Sequence, residues 1–190
     1  MVSRHGSCRI DLDYVLDRHD RVARLCPYWS SVARERMAVG LDEEFVLGRS
    51  VWDFVHGGAI QRLYDALLGQ ARRTGRMIAF NYRGDSPGDL RYMRMVLQPG
   101  PNGTVRFRSE LLHDQPRQRA VYFTHVAYPC HPDLMQCGLC QKLEHLGRWY
   151  TVEEALTQSD VIDELFPTEV GDTVCDSCLT KLELATGIRL

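Results

Sequence analysis

Met77-Ile78-Ala79-Phe80-Asn81-Tyr82-Arg83, then Arg91-Tyr92-Met93-Arg94-Met95-Val96-Leu97, then Thr104-Val105-Arg106-Phe107-Arg108-Ser109-Glu110-Leu111 is the stretch on which the fold turns. In the second run Met93, Met95 and Leu97 fall on one side, and in the third Val105 and Phe107 alternate with Arg106 and Arg108. A period of two is the mark of a strand with one buried face. Pro99-Gly100-Pro101-Asn102-Gly103 lies between the last two runs and has the composition of a hairpin loop. Three consecutive antiparallel strands are therefore expected over 77–83, 91–97 and 104–111.

Upstream of this meander the period changes. Ile60, Leu63, Tyr64, Leu67, Leu68 and Ala71 recur at the spacing of one buried helix face, which predicts a helix over 59–74 with Gly75 as its stop. Residues 10–19 and 21–25 alternate about a turn at Asp17-Arg18-His19-Asp20, predicting a first hairpin. Between hairpin and helix we expect a short helix over 28–36, an acidic loop holding Asp42-Glu43-Glu44, and a brief turn over 51–55 capped by Ser50. The order β-β-α-α-α-β-β-β makes residues 10–113 an α+β domain: a five-stranded antiparallel sheet with helices on one face.

Residues 114–129 read as a linker or an extra strand, the strand falling over 120–126. Residues 130–190 carry a different signal. Cys137-Gly138-Leu139-Cys140 and Cys175-Asp176-Ser177-Cys178 are two Cys-x-x-Cys pairs, and four thiols at that spacing can close a tetrahedral shell around a metal ion. Thr151-Val152-Glu153-Glu154 is a capping box for a helix reaching about residue 159, after a short strand over 148–150. The second pair opens an apparent helix over 179–184, whose positive end would favour thiolates. The chain's two lysines, Lys142 and Lys181, follow the two pairs closely and can offset the −2 charge of a tetrathiolate zinc centre. Zinc is the expected cofactor, with Cys137, Cys140, Cys175 and Cys178 as ligands. A redox-responsive thiol switch and an iron–sulfur cluster use the same four residues and remain open. A catalytic zinc is disfavoured, since four cysteines leave no position for water. Cys130-His131 would be surplus to a closed shell.

The chain has 190 residues and a net charge of −2. Residues 1–113 carry 17 arginines against 13 acids, while residues 114–190 carry 6 basic and 12 acidic residues, so the two parts have opposite sign. The arginines are scattered and not gathered on one predicted helix, which speaks against nucleic-acid binding. No apolar run suits a membrane span, and residues 1–10 lack the apolar stretch of a secretory signal, so a cytoplasmic protein with reduced cysteines is expected. There is no phosphate-cradling Gly-rich loop and no nucleophile elbow, so the chain is expected not to be an enzyme.

Residues 10–113 resemble a PAS domain. The likeness rests on the run Tyr14-Val15-Leu16-Asp17-Arg18-His19-Asp20-Arg21-Val22 with Trp29 after it, on Val46-Leu47-Gly48-Arg49-Ser50-Val51-Trp52-Asp53-Phe54, and on Tyr82-Arg83-Gly84-Asp85-Ser86-Pro87, where Gly84 stands for the Cys of a related phrase. Residues 130–190 are similar to a C-terminal module attached to many bacterial PAS, GAF and receiver proteins, although Asp176-Ser177 replaces the usual Pro-Glu and no His precedes the second pair. The resemblance implies a bacterial signal-transduction sensor that acts through a signalling protein partner or as a homodimer, with a small-molecule ligand as an option. Phe80, Tyr82, Met93, Met95, Val105 and Phe107 could line a ligand cavity between sheet and helices, though stripes of this kind are more often core. The helix over 59–74 has no His to hold haem, and the Asn-Cys-Arg-Phe-Leu phrase of flavin sensors is missing. The alternatives to a sensor with a structural zinc are a thiol switch that releases its metal on oxidation and a zinc-dependent nucleic-acid regulator.

Overall fold

The computed structural model describes residues 9–27, 29, 42–126, 134–157, 162 and 167–188. The short helix expected over 28–36 and Cys130-His131 fall outside these residues apart from Trp29.

The first sheet holds β1 (Arg9–Leu16), β2 (Val22–Leu25), β3 (Ile78–Arg83), β4 (Asp89–Pro99) and β5 (Val105–Pro116) in the order β2-β1-β5-β4-β3, antiparallel throughout. The first turn forms as its residues demand. The Asp17 carboxylate accepts from the backbone N–H of His19 at 2.7 Å and of Arg21 at 2.9 Å. These bonds, that of Arg21 foremost, hold the Asp17 pKa below its usual value. β4 extends past both expected ends and β5 past its second, and their long pairing runs from Asp89 opposite Pro116 to Pro99 opposite Val105.

The chain crosses from β2 to β3 through α1 (Glu43–Val46), a 3₁₀ turn at Val51–Asp53 and α2 (Gly58–Thr74). The acidic stretch expected as a loop is thus partly helical, since Glu43 and Glu44 sit in the first turn of α1, where the helix dipole favours negative charge. Ser50 caps the 3₁₀ turn by accepting from Trp52 N. Leu63, Leu67, Leu68 and Ala71 of α2 are buried, and Gly75 ends it in the left-handed conformation at φ 64°. Against them lie Leu16, Ile78, Phe80, Met95, Leu97, Val105 and Phe107 of the sheet.

A second five-stranded sheet follows: β6 (Phe123–His125), β7 (Leu134–Cys137), β8 (Leu143–His145), β9 (Arg148–Tyr150) and β10 (Thr168–Thr173), in the order β6-β10-β7-β8-β9. β10 pairs in parallel with both β6 and β7, and β7, β8 and β9 form an antiparallel meander. α3 (Val152–Thr157) and α4 (Asp176–Thr186) accompany it. The capping box closes as expected, with Thr151 N bonding Glu154 Oε2 at 2.7 Å and Glu154 N bonding Thr151 Oγ1 at 3.1 Å. β7, β8 and β10 were not foreseen. They are three to six residues long, and Gly171 and Asp172 interrupt β10, so they lack the alternation that marks longer strands.

The two sheets are joined closely. Cys137, Leu139, Val174, Cys175, Leu182 and Ile188 belong to the same buried core as α2 and the first sheet. A smaller core of Val121, Leu134, Leu143, Val152, Ala155, Ile162 and Val170 serves the second sheet alone. Two glycines mark the approach. At Gly57, where φ is +79°, a Cβ would stand 2.7 Å from Asp172 Cβ and 2.8 Å from its carbonyl oxygen. At Gly138 a Cβ would stand 2.6 Å from Ile60 Cδ1.

Candidate metal centre

Each cysteine reaches the cluster by a local rule. Cys137 is the last residue of β7, and the chain turns back at once into β8: Gln141 N donates to Cys137 O at 2.9 Å and Cys137 N to Lys142 O at 2.8 Å. Gln141 adopts φ 62° to complete the turn, and Cys140 lies within it. Cys175 is the N-cap of α4, and Cys178 sits one turn later with its N–H bonded to Cys175 O at 2.9 Å. The backbone then clamps the two turns together. Gly138 N donates to Thr173 O at 2.9 Å, and Cys175 N points at Cys137 Sγ at 3.4 Å.

The four Sγ atoms lie within 4.8 Å of one another, and those of Cys140 and Cys175 are 3.8 Å apart. A tetrahedron with metal–sulfur bonds of about 2.3 Å has sulfur–sulfur edges of about 3.8 Å, so the cluster has the size a metal ion requires. Cys137 and Cys175 are buried, and Cys140 and Cys178 are half-buried. Without a metal the thiols share protons unequally. Hydrogen bonds from the Cys140 and Cys178 thiols pull the Cys137 pKa far down. Their donation to Cys137 pushes Cys140 up to about 11 and Cys178 higher still. The arrangement is a thiolate with two proton-bearing neighbours, ready to exchange those protons for a cation.

The six residues proposed to line a ligand cavity share one face of the first sheet. Phe80 stands opposite Met95, Tyr82 opposite Met93, and Leu97 opposite Phe107. Phe80, Met93, Met95, Val105 and Phe107 are buried. Phe107 stacks on Tyr14 at 5.1 Å and on Tyr64 at 5.9 Å, filling the space between sheet and α2. Burial raises the pKa values of both tyrosines. Tyr82 is half-buried, and its hydroxyl lies 2.6 Å from Ser109 Oγ.

Tyr82 also lines a cavity of about 370 Å³ where the first sheet meets the cluster, a place the sequence pattern did not reveal. Tyr92, Glu153 and the half-buried Cys140 and Cys178 share this cavity with Lys142 and Lys181. At its rim Arg83 makes a two-pronged ion pair with Asp85, at 2.8 and 2.6 Å. Asp85 accepts as well from the buried Arg117 at 2.5 Å, and Arg117 bonds Glu153 at the start of α3. The signal available for this network was the phrase Tyr82-Arg83-Gly84-Asp85. Arg117 is 32 residues from Asp85, and Glu153 a further 36 from Arg117, beyond the reach of local pattern.

No protein-family model and no curated protein matches the chain. Among the described residues no helix is long and apolar enough to cross a membrane.

Proposed function

We propose that the protein is a non-catalytic signal-transduction component of the PAS type, in which a ligand or partner changes the association of the first sheet and a structural zinc holds the C-terminal part. The strand order β2-β1-β5-β4-β3, with the β2-to-β3 crossing made by helices packed on one face, is the observation that carries this reading. It is the architecture that the resemblance of residues 10–113 implies. Zinc is favoured by the donor set: four cysteine sulfurs, two of them fully or nearly buried, at the edge length of a closed tetrahedron. A shell completed by four thiolates has no position for water, which supports a structural and not a catalytic ion.

Metal analysis of the purified full chain, read with its absorption spectrum, tests the centre. One equivalent of zinc and no visible band is the expected result. A thiolate-to-iron charge-transfer band would replace zinc by an iron–sulfur cluster, and a protein purified and reconstituted without any metal would remove the centre altogether. The signalling half is tested by affinity capture from the native source and by sedimentation of the pure protein. A chain that neither self-associates nor retains a partner under any metal or redox condition would overturn it.

A further inference from the structure

The four cysteines are not equivalent. Cys137 and Cys175 are 0% and 6% exposed and lie in the shared core, whereas Cys140 and Cys178 are half-buried and line the cavity between the first sheet and the cluster. We propose that Cys140 and Cys178 are the oxidant-facing half of the centre, and that a neutral hydroperoxide entering this cavity joins them in a disulfide and so expels the metal. The inference rests on the metal centre proposed above and adds to it a modification site, a pairing and a route of access.

Charge selects the class of reagent. A divalent ion with four thiolates carries −2, and Lys142 and Lys181 in the cavity wall return +2. Arg83 is matched by Asp85, and Glu153 by Arg117. The metal-loaded cavity is close to neutral, so it neither concentrates nor repels ions, and a small uncharged electrophile meets no barrier there. At about 370 Å³ the space is ample for a peroxide. Both sulfurs that face it lie within 4.8 Å of each other.

The chemistry balances with the peroxide as sole oxidant. One of the two thiolates attacks the terminal peroxide oxygen, the O–O bond breaks, and hydroxide, or alkoxide from an organic hydroperoxide, leaves and takes a proton from solvent to become water or alcohol, giving a sulfenic acid. The second thiolate attacks that sulfur, the S–S bond forms as the S–O bond breaks, and the sulfenic hydroxyl departs as hydroxide, which takes a solvent proton to become water. Two thiolates have lost two electrons and the peroxide has gained them. The metal keeps only Cys137 and Cys175, and two sulfurs hold it far more weakly than four.

The test uses the metal-loaded full chain, sub-stoichiometric hydrogen peroxide, rapid alkylation and peptide mapping, with metal release followed by a chromogenic chelator. The expected first product is a Cys140–Cys178 disulfide that appears at the rate of metal release, with Cys137 and Cys175 recovered as alkylated thiols. A first product joining Cys137 to Cys140 or Cys175 to Cys178, or equal loss of all four thiols, overturns the proposal. The variant Asn81→Trp fills the cavity from an exposed position on β3 that is not one of the four metal-ligating residues. It should bind the same amount of metal and oxidise several-fold more slowly, and oxidation at the wild-type rate equally overturns the proposal. Metal content measured beforehand separates failure of the centre from failure of this route. If no metal is bound, the same mapping on the reduced protein still reads which thiols the cavity exposes.

Discussion

β4 and β5 of the first sheet run for eleven and twelve residues, whereas the described strands of the second sheet run for three to six. The first sheet rests on area. An amphipathic helix of seventeen residues covers it, and an aromatic stack through Phe107 fills the gap. Among the described residues the second sheet has a separate core of seven buried side chains, and its parallel strand β10 is held from the far end by the turn that carries Cys175. Long alternating strands stabilise themselves by burial, and short ones need a cross-link or a neighbour. The second sheet has the neighbour, in the core it shares with α2 and the first sheet, and four cysteines placed to supply the cross-link.

The largest break in that comparison should come from the buried ligand Cys137. Cys137→Ser removes one of four donors to a site type whose metal contributes on the order of 10 kcal/mol to small structural domains. Metal content should fall below one equivalent, and amide exchange should rise throughout β7, β8 and β10 while β4 and β5 keep their protection. Uniform protection in the variant would mean that the second sheet does not depend on the metal.

Asp85→Ala is expected next. It strips the partner from Arg83, leaves Arg117, whose side chain is 4% exposed, with Glu153 alone, and frees the N–H of Arg91 that Asp85 accepts at 2.9 Å. Breaking a buried ion pair from one side costs about 3–5 kcal/mol, so the urea midpoint should drop sharply with little change in metal stoichiometry. Gly57→Ala strains a residue at φ +79° and drives a methyl into the Asp172 backbone, for a loss of about 2–4 kcal/mol in the same measurement. A neutral result there would mean that the two sheets can separate at little cost.

A further test of the comparison is a dependence on pH. In the metal-free protein Cys140, pushed up to about 11, and Cys178, higher again, keep their protons across the neutral range. Metal binding must expel those protons, so affinity rises with pH, by roughly tenfold per pH unit for each proton displaced. Chelator competition between pH 6 and 8 checks both the sign and the slope. A flat profile would assign the ligands as thiolates before metal arrives.

The same contrast explains what could be read from sequence. Period-two alternation around Met95 and Phe107, the helical stripe from Ile60 to Ala71 and the glycine stop at Gly75 are local signals, and the first sheet and α2 formed where they pointed. The cysteine spacing likewise led to one cluster. What could not be read depends on distant partners. β10 is a strand because β6 and β7 flank it, not because Thr168–Thr173 favours one. The junction cavity draws its walls from β3, β4, α3, α4 and the first cysteine turn, and no window of sequence holds them together.

β3 is an edge strand of the first sheet, and the backbone N–H of Arg83 at its end donates to Leu139 O of the cysteine turn at 2.7 Å. An uncovered strand edge is a template for pairing with another chain. The cysteine turn therefore works as a cover on that edge, and α4 packs beside it. Loss of the turn's order would offer the end of β3 to neighbouring molecules, so disordering the cysteine turn is expected to promote edge-to-edge assembly.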